Sequence, residues 1–155
     1  MSFIQNIINR SRRVLNPATR YQTIGIPDLG KINRNQRLYT KEALLPFVGD
    51  VANQNMFGQI GYPDSADISL KRASHHIHKV FLVGQDLWVE YSILDNENGL
   101  LLYDLLQTGE FVLRPRGTGI VQPDGSITNY KLISFDFIPI EEDAFKTLEN
   151  EGGRL

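Results

Sequence analysis

Apolar and polar residues alternate along much of the chain, which is the pattern of half-buried β-strands. The alternation predicts a strand at Tyr21–Ile26, and further strands are predicted at residues 87–94, 111–121 and 126–140. Residues 68–83 are predicted to form one long strand or two bent ones. Turn residues at Gln85-Asp86 and at 122–125 allow consecutive strands to pair as antiparallel hairpins. The pattern therefore predicts an α+β domain that is mainly β, with an antiparallel sheet closed or partly closed into a barrel and flanked by a few helices.

Apolar residues at helical spacing predict four helices, over residues 2–15, from 41 to about 53, over 100–106, and from 141 onward. Thr40 is placed to cap the second helix, and Gly109 follows the end of the third. A short strand from Phe57 leads into a tight turn before Pro63. The chain thus divides into an N-terminal arm (1–20), a β-domain (21–145) and an acidic tail (146–155).

The first helix is amphipathic and strongly basic, and Asn16-Pro17 ends it. We expect it either to pack on its own domain or to dock on a partner protein. The residues that would form this partner-binding surface are Phe3, Ile4, Ile7, Ile8, Arg10, Arg12 and Arg13.

Composition limits the chemistry that the chain can carry. The 155 residues include no cysteine, which rules out thiol catalysis, cysteine-ligated zinc and disulfide bonds. A net charge of −2 argues against nucleic acid as the partner, and no apolar run approaches the length of a membrane span.

Several separated segments carry motif-like residues in a fixed order, at 33–39, 58–63, 68–75, 99–109, 114–119 and 135–144. Two of them are Gly58-Gln-Ile-Gly-Tyr-Pro63 and Arg114-Pro-Arg-Gly-Thr-Gly119. Together they resemble the prohead maturation proteases of tailed bacteriophages, serine proteases with the barrel fold of herpesvirus protease (assemblin). The resemblance covers about residues 22–145.

The positions that carry the family's chemistry differ in this sequence. The residue before Pro63, a histidine base in the family, is Tyr62, and a phenol with an ordinary pKa of ~10 is a poor base at neutral pH. The family's serine pair is replaced by Arg114 and Pro115, neither of which has a hydroxyl. A serine protease needs both groups within hydrogen-bond reach. The resemblance therefore implies a protease fold without its nucleophile and base.

The residues after that pair remain, and the resemblance implies that they are a remnant of the family's oxyanion turn: Arg116, Gly117 and Gly119.

Replacement catalytic groups are scarce. Ser74 or Ser134, with His75 or His76, is the fallback set, but on a regular strand Ser74 and His75 point to opposite faces and cannot pair. His76 and His78 share a face, yet two ligands need a third, such as Asp67 or Asp86, to hold a metal. We expect no metal and no cofactor.

The sequence favours a catalytically inactive structural protein of a tailed-phage particle, either a capsid cement or decoration protein or a neck component. Its partners would be the major capsid protein or other head and neck proteins, and self-association stays open. It would be located in the phage head of the virion and assembled in the host cytoplasm. Two alternatives remain: an active maturation endopeptidase that processes capsid and scaffold proteins, and an unrelated barrel that binds a small ligand.

Overall fold

Strands dominate the part of the chain that the computed structural model describes, residues 15–33 and 36–140. Seven strands and two short α-helices follow one another in these ranges. In chain order they are β1 (Tyr21–Ile26), α1 (Lys41–Leu44), β2 (Gly49–Asp50), β3 (Phe57–Gly58), β4 (His75–Val83), β5 (Asp86–Ile93), α2 (Glu97–Leu106), β6 (Phe111–Val121) and β7 (Ile127–Pro139). The architecture is mainly β with few helices, as the sequence pattern predicts.

The strands form two antiparallel sheets. One sheet has the order β1-β5-β4-β2, and β3 pairs with the start of β4, on the same edge as β2. The other sheet is the β6–β7 hairpin. The sheets are not closed into a barrel, so that part of the fold prediction is wrong. β6 packs beside β1 without a hydrogen-bonded ladder. Pro115 in β6 has no N–H to donate, and the Gly25 carbonyl of β1 lies 3.5 Å from Nη1 of the Arg114 side chain instead.

The helix predicted from residue 41 to about 53 is mostly wrong. Thr40 does cap it, because its Oγ1 accepts a hydrogen bond from the Ala43 N–H at 3.2 Å. The α-helix ends at Leu44, however, and a 3-10 turn containing Pro46 follows. Proline inside a helix removes a hydrogen bond and clashes with the preceding turn. Gly49 then begins β2 with φ of 132°, a backbone angle that favours glycine.

The two hairpins and the third helix agree better with the predictions. β1 and β6 have the predicted bounds, and β5, β7 and α2 differ by a few residues. The long strand expected over residues 68–83 is shorter, since residues 69–73 form turns and β4 starts at His75. The helices predicted over 2–15 and from 141 onward lie outside the described residues, apart from Leu15.

One hydrophobic core joins the two sheets. Ile77, Val80 and Val89 of the five-stranded sheet pack in the same cluster as Leu113 and Phe135 of the β6–β7 hairpin. All five side chains are fully buried. Within the described ranges, no helix is long and apolar enough to cross a lipid bilayer.

Candidate functional site

The segment that follows β3 lies along β7. Ile60 forms a parallel bridge with Phe137, and the Gly61 N–H donates to the Phe137 carbonyl at 2.7 Å. Gly61 has φ of 85° and turns the chain away, so that Tyr62 is 38% exposed. The position of the family's base is therefore on the surface, beyond the edge of the β6–β7 hairpin.

The positions of the family's serine pair lie in the middle of β6. Arg114 is opposite Asp136 and Pro115 is opposite Phe135 in the ladder with β7. Arg114 is buried, and its Nη1 donates to the Leu113 carbonyl at 2.9 Å. The guanidinium thus occupies interior space between β6 and β1.

Arg116 forms a buried ion pair with Asp136. Its Nε and Nη2 donate to the two carboxylate oxygens at 3.0 and 2.8 Å, and the two side chains are 5% and 3% exposed. Nη1 also donates to the Asp67 carbonyl at 2.7 Å. Arg116, proposed from the sequence as part of an oxyanion turn, therefore links β6, β7 and the loop that contains Asp67.

The Asp136 carboxylate also holds the segment that follows β3. Its Oδ1 accepts a hydrogen bond from the Gln59 N–H at 2.9 Å. Burial raises the pKa of Asp136, although the Arg116 guanidinium and the Gln59 N–H favour the charged form. Asp136 is therefore a buried anchor for the backbone at Gln59 as well as for the Arg116 guanidinium.

Ser74 and His75 form a hydrogen-bonded pair, which corrects the expectation that they point apart. Ser74 Oγ and His75 Nδ1 are 2.9 Å apart, and His75 Nε2 is 2.8 Å from the Phe135 carbonyl. A carbonyl only accepts, so Nε2 carries the proton and Nδ1 accepts from the serine hydroxyl. The alternation argument failed because Ser74 precedes β4 and is not part of the regular strand.

This pair is inside the protein. Both residues have no exposed surface, and a Cβ on Gly58 would collide with the His75 ring and the Phe135 carbonyl. Burial lowers the pKa of His75 to about 4, while the hydrogen bond to Phe135 opposes that shift and nearby Arg116 adds to it. At neutral pH the ring is a neutral, weak base.

A second serine–histidine contact lies on the other face of β4. His78 Nε2 is 2.8 Å from Ser92 Oγ, and the His76 and His78 rings are 4.3 Å apart. His78 is half-buried and Ser92 is almost fully buried. Burial lowers the pKa of His78, with smaller contributions from His76 and Arg20.

Sequence reasoning missed Ser92. A regular hairpin in which Val83 pairs with Asp86 would place Ile77 opposite Ser92, but a bulge between Ile77 and Lys79 shifts the register. His76 consequently pairs with Ser92, and His78 comes within hydrogen-bond distance of it. The β4–β5 hairpin was predictable from the sequence and could have suggested Ser92 as a neighbour of the histidines. The bulge that shifts the register could not be recognised from the residue pattern.

The other predicted groups are separated. Ser134 Oγ is buried without a hydrogen-bond partner among the described residues, and Asp86 lies at the β4–β5 turn, where its carboxylate accepts from the Asp28 N–H. Within residues 15–33 and 36–140, no three histidine, aspartate or glutamate side chains are grouped to hold a metal ion. Gly117 and Gly119 lie in the exposed outer half of β6, against Tyr130 and Ile127. The arm residues from Phe3 to Arg13 lie outside the described part of the chain.

The fold is similar to a solved structure, the capsid assembly protease gp21 of bacteriophage T4. The two structures superpose with a TM-score of 0.66 at 22% sequence identity, over 77% of this chain and 80% of that one. No protein-family model and no curated protein matches the sequence. The likeness therefore gives the chain a phage-protease-like fold.

Proposed function

We propose that this chain is a catalytically inactive, prohead-protease-like structural protein of a tailed-phage particle, a capsid cement or decoration protein or a neck component that binds other head proteins. The fold likeness to a phage capsid assembly protease supports the phage-head setting. One observation carries the inactivity: the nucleophile positions of the family motif hold Arg114 and Pro115, inside β6, with the arginine buried.

The surroundings of the remaining serines support the same proposal. A nucleophilic serine must reach a substrate carbonyl while a base accepts its proton. Ser74 has its base, but both residues are sealed beneath Gly58 and the β6–β7 hairpin, and the pKa of His75 is about 4. Ser134 is buried and has no base within hydrogen-bond distance among the described residues.

The alternative function is an active maturation endopeptidase, and the contact between Ser92 and His78 is the observation that favours it. This contact is nearer the surface than Ser74–His75, and its 2.8 Å length suits proton transfer. Among the described residues, no carboxylate or carbonyl is hydrogen-bonded to Nδ1 of His78, so the orienting third group of a triad is missing there.

Labelling with a fluorophosphonate serine probe, beside cleavage of a phage capsid protein, separates the two functions. The folded chain is expected neither to label nor to cleave, while an active serine protease in the same reaction labels normally. Labelling that disappears in Ser92→Ala, Ser74→Ala or Ser134→Ala, and persists in the other two, would establish a rebuilt protease and overturn the proposal. A heat-unfolded sample controls for non-specific reaction.

We also propose that residues 1–20 act as the docking arm, residues 21–145 as the protease-like domain and residues 146–155 as an acidic tail. The basic and apolar residues between Phe3 and Arg13 support this assignment, since they offer both a hydrophobic stripe and positive charge to a head protein. Removing residues 1–14 should abolish co-sedimentation with phage heads, and the fluorescence of Trp88 checks that the shortened chain is folded. Unchanged co-sedimentation would contradict the docking role.

A further inference from the structure

An open cleft of about 220 Å³ lies beside the buried ion pair of Arg116 and Asp136, on the side of the loop that follows Pro63. It is lined mostly by polar residues: Gln59, Pro63, Asp64, Ser65, Asp67, Ser69 and Arg72. Pockets that hold whole small molecules are usually ~300–1,000 Å³. The size of this cleft fits a single side chain presented by another molecule.

Gln59 is the feature that points to a ligand. The residue is only 6% exposed, yet its side-chain amide makes no hydrogen bond with any described residue. Its backbone is held on both sides, by the Asp136 carboxylate at 2.9 Å and by the Phe137 N–H at 3.0 Å. Neither amide atom is enclosed, so the amide is open to the cleft, and the fixed backbone holds it in one position where a ligand can bond it.

Asp67 presents a second unpaired group. Its N–H donates to Ser65 Oγ at 3.3 Å and its carbonyl accepts from Arg116 at 2.7 Å, which fixes the backbone from two directions. The carboxylate itself has no hydrogen-bond or ion-pair partner among the described residues. It is exposed on the rim of the cleft.

The net charge of the residues that line the cleft favours a positively charged ligand. Asp64 already pairs with Arg72 at 3.4 Å, so the carboxylate of Asp67 is left over and the lining has an excess of one negative charge. The acceptors that have no hydrogen bond with a described residue are that carboxylate, the Gln59 amide oxygen and the Ser69 hydroxyl. A guanidinium has five N–H donors in a planar fork and can serve several acceptors at once, whereas a carboxylate ligand would meet Asp67 as a like charge.

We propose that this cleft binds an arginine side chain of a partner protein, with the guanidinium bonded to the Asp67 carboxylate and the Gln59 amide oxygen. The site uses neither the serine–histidine contacts nor the arm, so it holds whether or not the chain cleaves peptides or associates with phage heads.

The test is a titration of the full chain with the capped tripeptide Ac-Ala-Arg-Ala-amide, followed by NMR. Saturable shifts of the Gln59 side-chain NH₂ and of the Asp67 N–H signals are expected, at millimolar peptide. The matched peptide with citrulline, a neutral isostere of arginine, should give much smaller shifts. A hydrogen bond to a charged group is worth enough that Asp67→Asn should weaken binding about tenfold or more.

Two further variants control the measurement. Asp124→Asn removes the same charge at the β6–β7 turn, and its affinity should equal that of the wild type. Gln59→Leu should weaken binding too, and the fluorescence of Trp88 checks that it is folded. The proposal is overturned if the Gln59 NH₂ does not shift, if citrulline binds as well as arginine, if Asp67→Asn binds like the wild type, or if Ac-Ala-Glu-Ala-amide binds more tightly than the arginine peptide.

Discussion

His75 is a neutral imidazole held in place by one donor and one acceptor. Ser74 donates to its Nδ1, and its Nε2 donates to the Phe135 carbonyl. Because the ring is fully buried, adding a proton to it costs more free energy in the folded protein than in the unfolded chain, which is why its pKa falls to about 4. The same contacts that resemble a catalytic pair thus have a direct consequence for stability.

We predict that His75 makes the protein acid-sensitive. Below its ordinary pKa of ~6.5 the unfolded chain takes up a proton that the folded protein refuses, so the free energy of unfolding decreases as pH falls from about 6.5 to about 4. The full loss from this group is about 3 kcal/mol. In His75→Gln the decrease should be smaller by most of that amount, measured by urea unfolding near neutral pH and near about pH 4.5.

The quantity to compare between variants is the change in the free energy of unfolding with pH. His76 and His78 also have pKa values lowered by burial and contribute in the same direction, whereas burial raises the pKa of Asp136, which opposes them. His76→Gln is the control, and it should reduce the slope less because His76 is only half-buried. If the free energy of unfolding changes equally with pH in the wild type and in His75→Gln, the pKa of His75 is not lowered by folding and the prediction is wrong.

At the scale of elements, the ion pair of Arg116 and Asp136 ties β6 and β7 to the segment that begins at β3. The carboxylate accepts the Gln59 N–H, and the guanidinium bonds the Asp67 carbonyl and approaches the Phe57 carbonyl at 3.4 Å. Removing one member leaves the other charge buried without compensation, which costs more than the pair contributes.

We predict that Asp136→Leu and Arg116→Met each lower the free energy of unfolding by about 3–5 kcal/mol. The double variant should be destabilised by less than the sum of the two, since it leaves no buried charge. Urea unfolding of the four proteins measures both effects. Arg72→Met breaks the exposed pair with Asp64 and should cost no more than about 1 kcal/mol. A loss of that size in Asp136→Leu would mean that the buried pair is open to water.

Element by element, the sequence predicted strands better than helices. The bounds predicted for Tyr21–Ile26 and Phe111–Val121 were right, although burial does not alternate strictly along either strand. The helix expected from residue 41 had the apolar spacing but also contained Pro46 and Gly49, and those two residues decided its end. In this segment the proline and the glycine had more influence on the structure than the helical spacing of the apolar residues.

For the whole molecule, the pattern of residue types could not predict whether the sheets close into a barrel or which side chains contact each other. Whether β1 and β6 form a ladder depends on two edges far apart in sequence, and Pro115 together with the Arg114 side chain leaves them unpaired. The partners of Asp136 and Ser92 likewise follow from sheet packing and from a bulge. The sequence identified the segments of the candidate site, and only the fold shows which side chains meet.

The two sheets nevertheless share a core, which leads to a prediction about cooperativity. Leu113 of β6 is fully buried in the cluster that also contains Ile77 and Val89 of the other sheet. If the sheets unfold together, Leu113→Ala should destabilise both by about 2–5 kcal/mol. Trp88, the single tryptophan, lies in β5 and reports on the five-stranded sheet, while amide exchange in β7 reports on the hairpin.

Both signals should move to a lower urea midpoint by the same amount in Leu113→Ala. Ile120→Ala, in the same strand but 55% exposed, is the matched control and should shift neither signal appreciably. A loss of protection in β7 with an unchanged Trp88 midpoint would mean that the β6–β7 hairpin opens alone. That result would matter for the buried serine–histidine pair, since an independently opening hairpin would uncover His75 where it is bonded to Phe135 and give Ser74 a route to substrate.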